Sequence, residues 1–143
     1  MKTFSFSDML GRLLRAQNQS RAAKTVEMFG WLILIEGPMF LLFPNFVASV
    51  LHLPPLVEQG PNYFRLVGVL IGGLGILYVV SGRLNAEGFV FASLLDRPLV
   101  PPLMAVLWYW GIVPGPLAVA FAIQDFGSFL WTLFTLRSES RAP

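Results

Sequence analysis

The stretch 63–81, YFRLVGVLIGGLGILYVVS, decides how the rest of the chain is read. It holds a single charge, Arg65, close to its start. It is also close to the roughly 20 residues a helix needs to cross about 30 Å of hydrocarbon. Three further apolar stretches follow the same rule, at about 26–43, 99–113 and 117–136. The third is short and opens on Pro101 and Pro102, with an earlier start, extended by residues 88–95, as the alternative. A crossing there is still required, because without it the charges lose their order.

That order is the topological evidence. Four crossings bring together the N-terminal segment, the connection 82–98 and the C-terminal tail. Lys2, Arg12, Arg15, Arg21, Lys24, Arg83, Arg97, Arg137 and Arg141 then share one side, leaving only Arg65 of the ten Lys and Arg at the other. Such a split follows the enrichment of Lys and Arg on the cytoplasmic side of membranes. The predicted fold is an all-α, integral membrane four-helix transmembrane bundle with both termini inside. Residues 1–25 form an amphipathic cytoplasmic or interfacial segment, 26–136 the transmembrane domain and 137–143 a tail.

Composition agrees. Hydrophobic residues make up 55% and charged residues 13%, against roughly 45–50% and about 25% in soluble domains. So little charge could not cover a soluble surface of this size. The basic residues other than Arg65 lie outside the apolar stretches, so the net charge of +2 fits membrane topology better than nucleic acid. The chain has no cysteine and one histidine, His52. Disulfides, thiol chemistry, a multi-histidine metal site and a two-histidine haem are therefore excluded within one chain. No phosphate-binding loop, dinucleotide fingerprint, HExxH or nucleophile-elbow motif occurs. The first 25 residues lack the apolar core of a cleaved signal, and Asp8 counts against an organellar transit segment.

The connections carry their own expectations. Phe6, Leu10, Leu13, Leu14 and Gln17 fall near one helical face flanked by Arg12 and Arg15. This reads either as an interfacial helix on anionic lipid or as a cytosolic extension of the first crossing. Residues 45–53, NFVASVLHL, are too short to span; they lie at the far interface or dip inward, and Pro54–Pro55 stops them. Residues 88–95 read as a second short apolar piece at the cytoplasmic face.

Two acids lie deep in the apolar stretches. Glu36 and Asp125 are each placed about ten residues in, roughly 15 Å deep. A carboxylate there costs about 2.5–3.5 kcal/mol or more, so it must face the bundle interior. Ala118, Ala122, Asp125, Ser128 and Thr132 share one small and polar stripe by their spacing, with Gln124 adjacent but aimed elsewhere. Pro38 frees the carbonyl of Leu34 beside Glu36. Arg65 is the expected counter-charge, snorkelling outward or pointing inward to Asp125 or Glu36. If it points inward, two acids share one base, which is the arrangement of a proton donor; the alternative is an ion pair that only locks helices. Tyr78 is a possible internal hydroxyl donor. Gly68, Gly72, Gly75 and Gly82 form a stripe for close helix approach, inside the monomer, in a homo-oligomer or against a membrane-protein partner. Trp31, Trp108, Tyr109, Trp110 and Trp131 read as interfacial anchors, with ring stacking on an apolar ligand as the alternative for Trp108. His52 reads as a surface residue of the far loop.

The run Arg65-Leu-Val-Gly68-Val-Leu-Ile-Gly-Gly-Leu-Gly75-Ile-Leu-Tyr78 resembles the second helix of small bacterial inner-membrane proteins of the DoxX-like kind. Arg97-Pro-Leu-Val and Asp125-Phe-Gly-Ser-Phe-Leu-Trp131-Thr are similar to the last two helices of proteins of that size. The resemblance implies a four-helix fold in a bacterial inner membrane. It also implies kinship with a group some of whose members are linked to quinone reduction or to membrane oxidoreductase complexes. Three functions are then expected in order: a non-catalytic subunit or accessory factor of a membrane complex; an intramembrane enzyme; an oligomeric proton or small-solute pathway. In the enzyme reading Glu36 and Asp125 exchange protons with a quinone, isoprenoid or sterol, Arg65 sets their charge, Tyr78 orients the substrate, and Gln124, Trp108 and Ser128 line its site. No metal or resident cofactor is expected, and the bilayer is the one certain partner.

Overall fold

A computed structural model describes residues 5–16 and 18–141. The chain is all-helical, 82% helix with no strand among the described residues. Its helices are α1 (Phe6–Arg15), α2 (Arg21–Leu42), α3 (Pro44–Val50), α4 (Gly60–Arg83), α5 (Glu87–Asp96), α6 (Val100–Tyr109) and α7 (Gly115–Glu139). Four helical runs are long and apolar enough to cross a membrane: Arg21–Leu42, Gly60–Arg83, Glu87–Tyr109 and Gly115–Glu139. They run alternately up and down, so that α2 begins, and α4 and α7 end, at one end of the bundle, here the near end. The readings that involve Lys2 and Gln17 lie outside the described residues.

The first crossing starts five residues earlier than hydropathy places it. Ser20 caps it, its hydroxyl accepting from Ala23 N at 3.0 Å, which satisfies one of the free amides of the first turn. Glu36 therefore lies about two-thirds of the way along α2, past the middle toward the far end. The helix continues through Pro38 to Leu42, and the seven-residue α3 follows, with Pro44 in its first turn where a missing N–H is harmless.

The third crossing differs most from expectation. Residues 88–95 are not a separate interfacial piece. They belong to α5, which continues through a 3-10 turn, Arg97–Leu99, into α6. The three pieces make one run of 23 residues, Glu87–Tyr109. Pro98, Pro101 and Pro102 lack amide hydrogens, and the tightened turn lets the chain pass them without leaving the helical path. Arg97 thereby moves out of the charged connection and into the middle of a crossing, where it is 0% exposed.

The tightest packing joins α2 to α4, antiparallel, along a seam of small residues. Cβ atoms built on Gly30, Gly37, Gly68, Gly75 and Gly82 would each lie 2.6–2.7 Å from backbone of the facing helix. The seam repeats every seven residues, Ala23–Gly30–Gly37 against Gly68–Gly75–Gly82, the spacing of a left-handed supercoil. The GxxxG pair expected at Gly68 and Gly72 does admit a close approach, for a Cβ on Gly37 would lie 2.6 Å from the Gly72 backbone and 2.9 Å from the Gly68 carbonyl oxygen, although a Cβ on Gly72 itself would come only to 3.9 Å from Gly37. Of the expected uses of the stripe, packing inside the monomer is the one seen, with α2 lying on Gly68 and Gly75.

Polar groups tie the near end together. Glu139, at the end of α7, accepts from the backbone amides of Arg21 and Ala22, at the start of α2. Gln19 donates to Glu27 Oε2 at 2.7 Å and to the Gly82 carbonyl at 3.0 Å. Arg83 Nε pairs with Glu27 Oε1 at 3.3 Å, close in distance though not aligned as a hydrogen bond. Glu139→Ala removes a carboxylate that caps a helix start, so it is expected to lower stability by about 0.5–2 kcal/mol. Thermal unfolding in detergent measures it, and an unchanged midpoint would show the clasp to be idle.

Candidate functional site

Arg97 is the centre of the polar interior. Its guanidinium lies 4.2 Å from the ring centroid of Phe29 and 5.0 Å from that of Tyr78, where the ring faces attract a cation. Nη1 donates to Thr132 Oγ1 at 3.1 Å. Thr132 Oγ1 in turn lies 2.8 Å from Thr25 Oγ1, which links α5–α6, α7 and α2 through one buried cluster. Among the described residues Nε and Nη2 have no hydrogen-bond partner. Among the described residues no carboxylate lies within ion-pair distance of Arg97, although Asp125 and Asp96 are within electrostatic reach.

Tyr78 stands edge-on to Phe29 at 5.2 Å and to Phe89 at 4.8 Å. Phe29 and Tyr78 form one wall of a cleft of about 250 Å³ that also meets Glu36, Asp96, Gln124 and Asp125. Asp96 is exposed and lines the cleft, so it sits at the mouth. Gln124 Nε2 donates to Glu36 Oε2 at 3.0 Å across the bundle. The expectation that Gln124 aims elsewhere is thus corrected: one residue of rotation from Asp125 is enough to bring it onto α2. The stripe on α7 does face inward, with Ala118 and Thr132 its two buried residues.

The sequence-derived site divides. Glu36, Asp125, Tyr78 and Gln124 meet in the cleft. Arg65 does not join them. It is exposed and donates from Nη1 to Asn62 Oδ1 at 3.1 Å, on its own helix, so of its two expected orientations the outward one is found. Arg97 takes its place. Ser128 turns back to its own helix, donating to the Asp125 carbonyl at 2.9 Å. Trp108 lines neither wall of the cleft; its indole lies over Gly115 at the turn into α7. His52 is exposed with a left-handed backbone, φ 54°. Asp96 and Arg97 escaped the sequence reading. The apolar run FVFASLL just before them was the signal that the crossing begins at Glu87.

Comparison with protein-family models, curated proteins and solved structures finds no match to the chain. The likeness to DoxX-like proteins accordingly gains no support from them.

Proposed function

We propose that this is a small multi-pass membrane protein that takes up a small, largely apolar ligand from the bilayer, with the ligand's polar group held beside Arg97. The observation that carries this reading is the pair of unpartnered nitrogens on a fully buried arginine, next to a cleft walled by a phenol, an amide and acids. Away from water an unmet donor costs several kcal/mol, and a ligand oxygen would satisfy it. Glu36 and Asp125 give the same cleft groups able to accept or return a proton, so acid–base chemistry on such a ligand fits the site. The near end, with Arg12, Arg15, Arg21, Lys24, Arg83, Arg137 and Arg141, faces the cytoplasm, and α1 lies on anionic lipid with Phe6, Leu10 and Leu14 exposed.

Native mass spectrometry of the gently extracted protein tests the reading. The wild type is expected to retain a small-molecule adduct. Met104→Trp, which puts a larger side chain into the cleft and leaves its polar residues in the sequence unchanged, is expected to lose it while keeping its unfolding temperature. A bare wild-type mass, or an adduct unaffected by Met104→Trp, contradicts the reading.

One observation favours a second role, as subunit of a membrane complex. α6 buries none of its residues, and at its far end Trp108, Tyr109 and Trp110 are 59%, 86% and 67% exposed. A partner would meet this face and not the glycine seam. A stoichiometric protein neighbour in the same spectra would establish it.

A further inference from the structure

The central cleft does not end at Glu36. Beyond the Glu36–Gln124 hydrogen bond lies a second cleft of about 200 Å³, toward the far end, walled by α2, α7 and the short α3. Glu36, Phe121 and Gln124 line both spaces. Every other wall of the second is apolar, among them Phe40, Phe46, Val50 and Ala120. Polar groups are thus confined to one end of two adjoining clefts: Tyr78, Asp96 and Asp125 first, with Arg97 buried behind the Phe29–Tyr78 wall, then the Glu36–Gln124 pair, then hydrocarbon alone.

We infer that the two clefts form one elongated site for an amphiphile, with a neutral, oxygen-bearing head in the central cleft and an unbranched apolar chain in the far cleft. The inference rests on the reading of the central cleft as a ligand site and adds the shape and charge of what it takes. Charge selects the head. Three carboxyl groups line the central cleft, Glu36, Asp96 and Asp125, and one cation lies beside it. An anionic head would meet a surplus of its own sign. A cationic head would be drawn to the acids, but it would be repelled by Arg97 and has no acceptor to offer the two unmet donors. A neutral head with a carbonyl and a hydroxyl meets both needs: the carbonyl accepts from Tyr78, which lines the cleft, or from Arg97 behind it when the Phe29–Tyr78 wall parts, and the hydroxyl donates to a carboxylate or to the Gln124 amide oxygen. Shape selects the chain. Leaving lipid for an apolar cleft gains little from the hydrophobic effect, since lipid tails are already apolar. Discrimination must come from fit, along Phe121 on one side and past the Glu36–Gln124 pair on the other.

The test uses two probes, 4-hydroxyacetophenone and the ketone carrying an octyl chain in place of its methyl, titrated into the full chain in detergent. The wild type is expected to bind both. Ala120→Phe, which fills the far cleft, is expected to leave the Kd of the short probe unchanged and to weaken the long one by about tenfold or more, within the range that overpacking imposes. Val50→Trp blocks the same space from α3 and should act alike, so the result does not depend on one variant folding. If the short probe binds and both variants bind the long probe as the wild type does, the far cleft holds no chain and this inference falls alone. If the wild type binds neither probe while an adduct is seen in native spectra, the neutral-head assignment is wrong though the ligand site stands. If there is neither binding nor adduct, both fall.

Discussion

Gly75→Leu is expected to abolish accumulation of folded protein, and Gly75→Ala to lower its unfolding temperature sharply. At Gly75 a methyl group would lie 2.7 Å from the backbone N and Cα of Leu34. Backbone cannot swing aside as a side-chain tip does, so α2 and α4 must separate along the whole seam. Overpacking of a well-packed contact costs about 1–3 kcal/mol, and Gly82→Ala and Gly30→Ala should fall in the same range, each facing backbone at 2.6 Å. The internal controls are Gly73→Ala and Gly127→Ala, where an added methyl meets nothing within 4 Å. These should match or exceed the wild type, because alanine favours the helix by about 1 kcal/mol over glycine. Thermal unfolding in one detergent, read by circular dichroism, compares the five alanine variants directly. Equal behaviour of Gly75→Ala and Gly73→Ala would mean that the two helices do not meet along this seam.

The seam also shows what pattern reading reaches. A glycine stripe on 63–81 is visible because the stretch is otherwise large and apolar. Its partner is not, since Gly30 and Gly37 stand singly in α2 and become a stripe only when the facing helix sets a seven-residue register. Hydropathy picks out the four helices long and apolar enough to cross a membrane, yet it starts the third too late, where Asp96, Arg97 and three prolines interrupt the apolar run. Local composition there reads as a loop; only the packing of Arg97 on Phe29, Tyr78 and Thr132 makes burial of that segment tolerable. The acids Glu36 and Asp125 were legible as interior residues because lipid offers them no other place. Their counter-charge was not. Arg65 and Arg97 are equally plausible by type, and the choice between them depends on side-chain direction, which spacing alone does not carry.

Arg97→Met should destabilise the protein by about 1–3 kcal/mol, because it takes a charged donor away from Thr132 and the nearest cation away from Asp125. The loss arises chiefly at Asp125, which keeps its place in the cleft while the one cation within reach disappears. Asp125→Asn in the same chain removes the stranded charge, so the double variant Arg97→Met/Asp125→Asn should regain most of the stability. An apolar side chain of similar volume in place of a buried ion is often neutral or better. The coupling energy from the four unfolding curves should therefore exceed about 1 kcal/mol, well above the error for independent sites. Arg65→Gln is the control: an exposed side chain bonded only to Asn62 should leave the unfolding temperature unchanged, alone or combined with Asp125→Asn. The double variant then separates structure from function. If Arg97 exists to hold a ligand oxygen, the restored protein unfolds like the wild type but carries no adduct and binds neither ketone probe. If it binds them as the wild type does, the two unpartnered nitrogens belong to a structural arginine, and the site must be sought on the open face of α6.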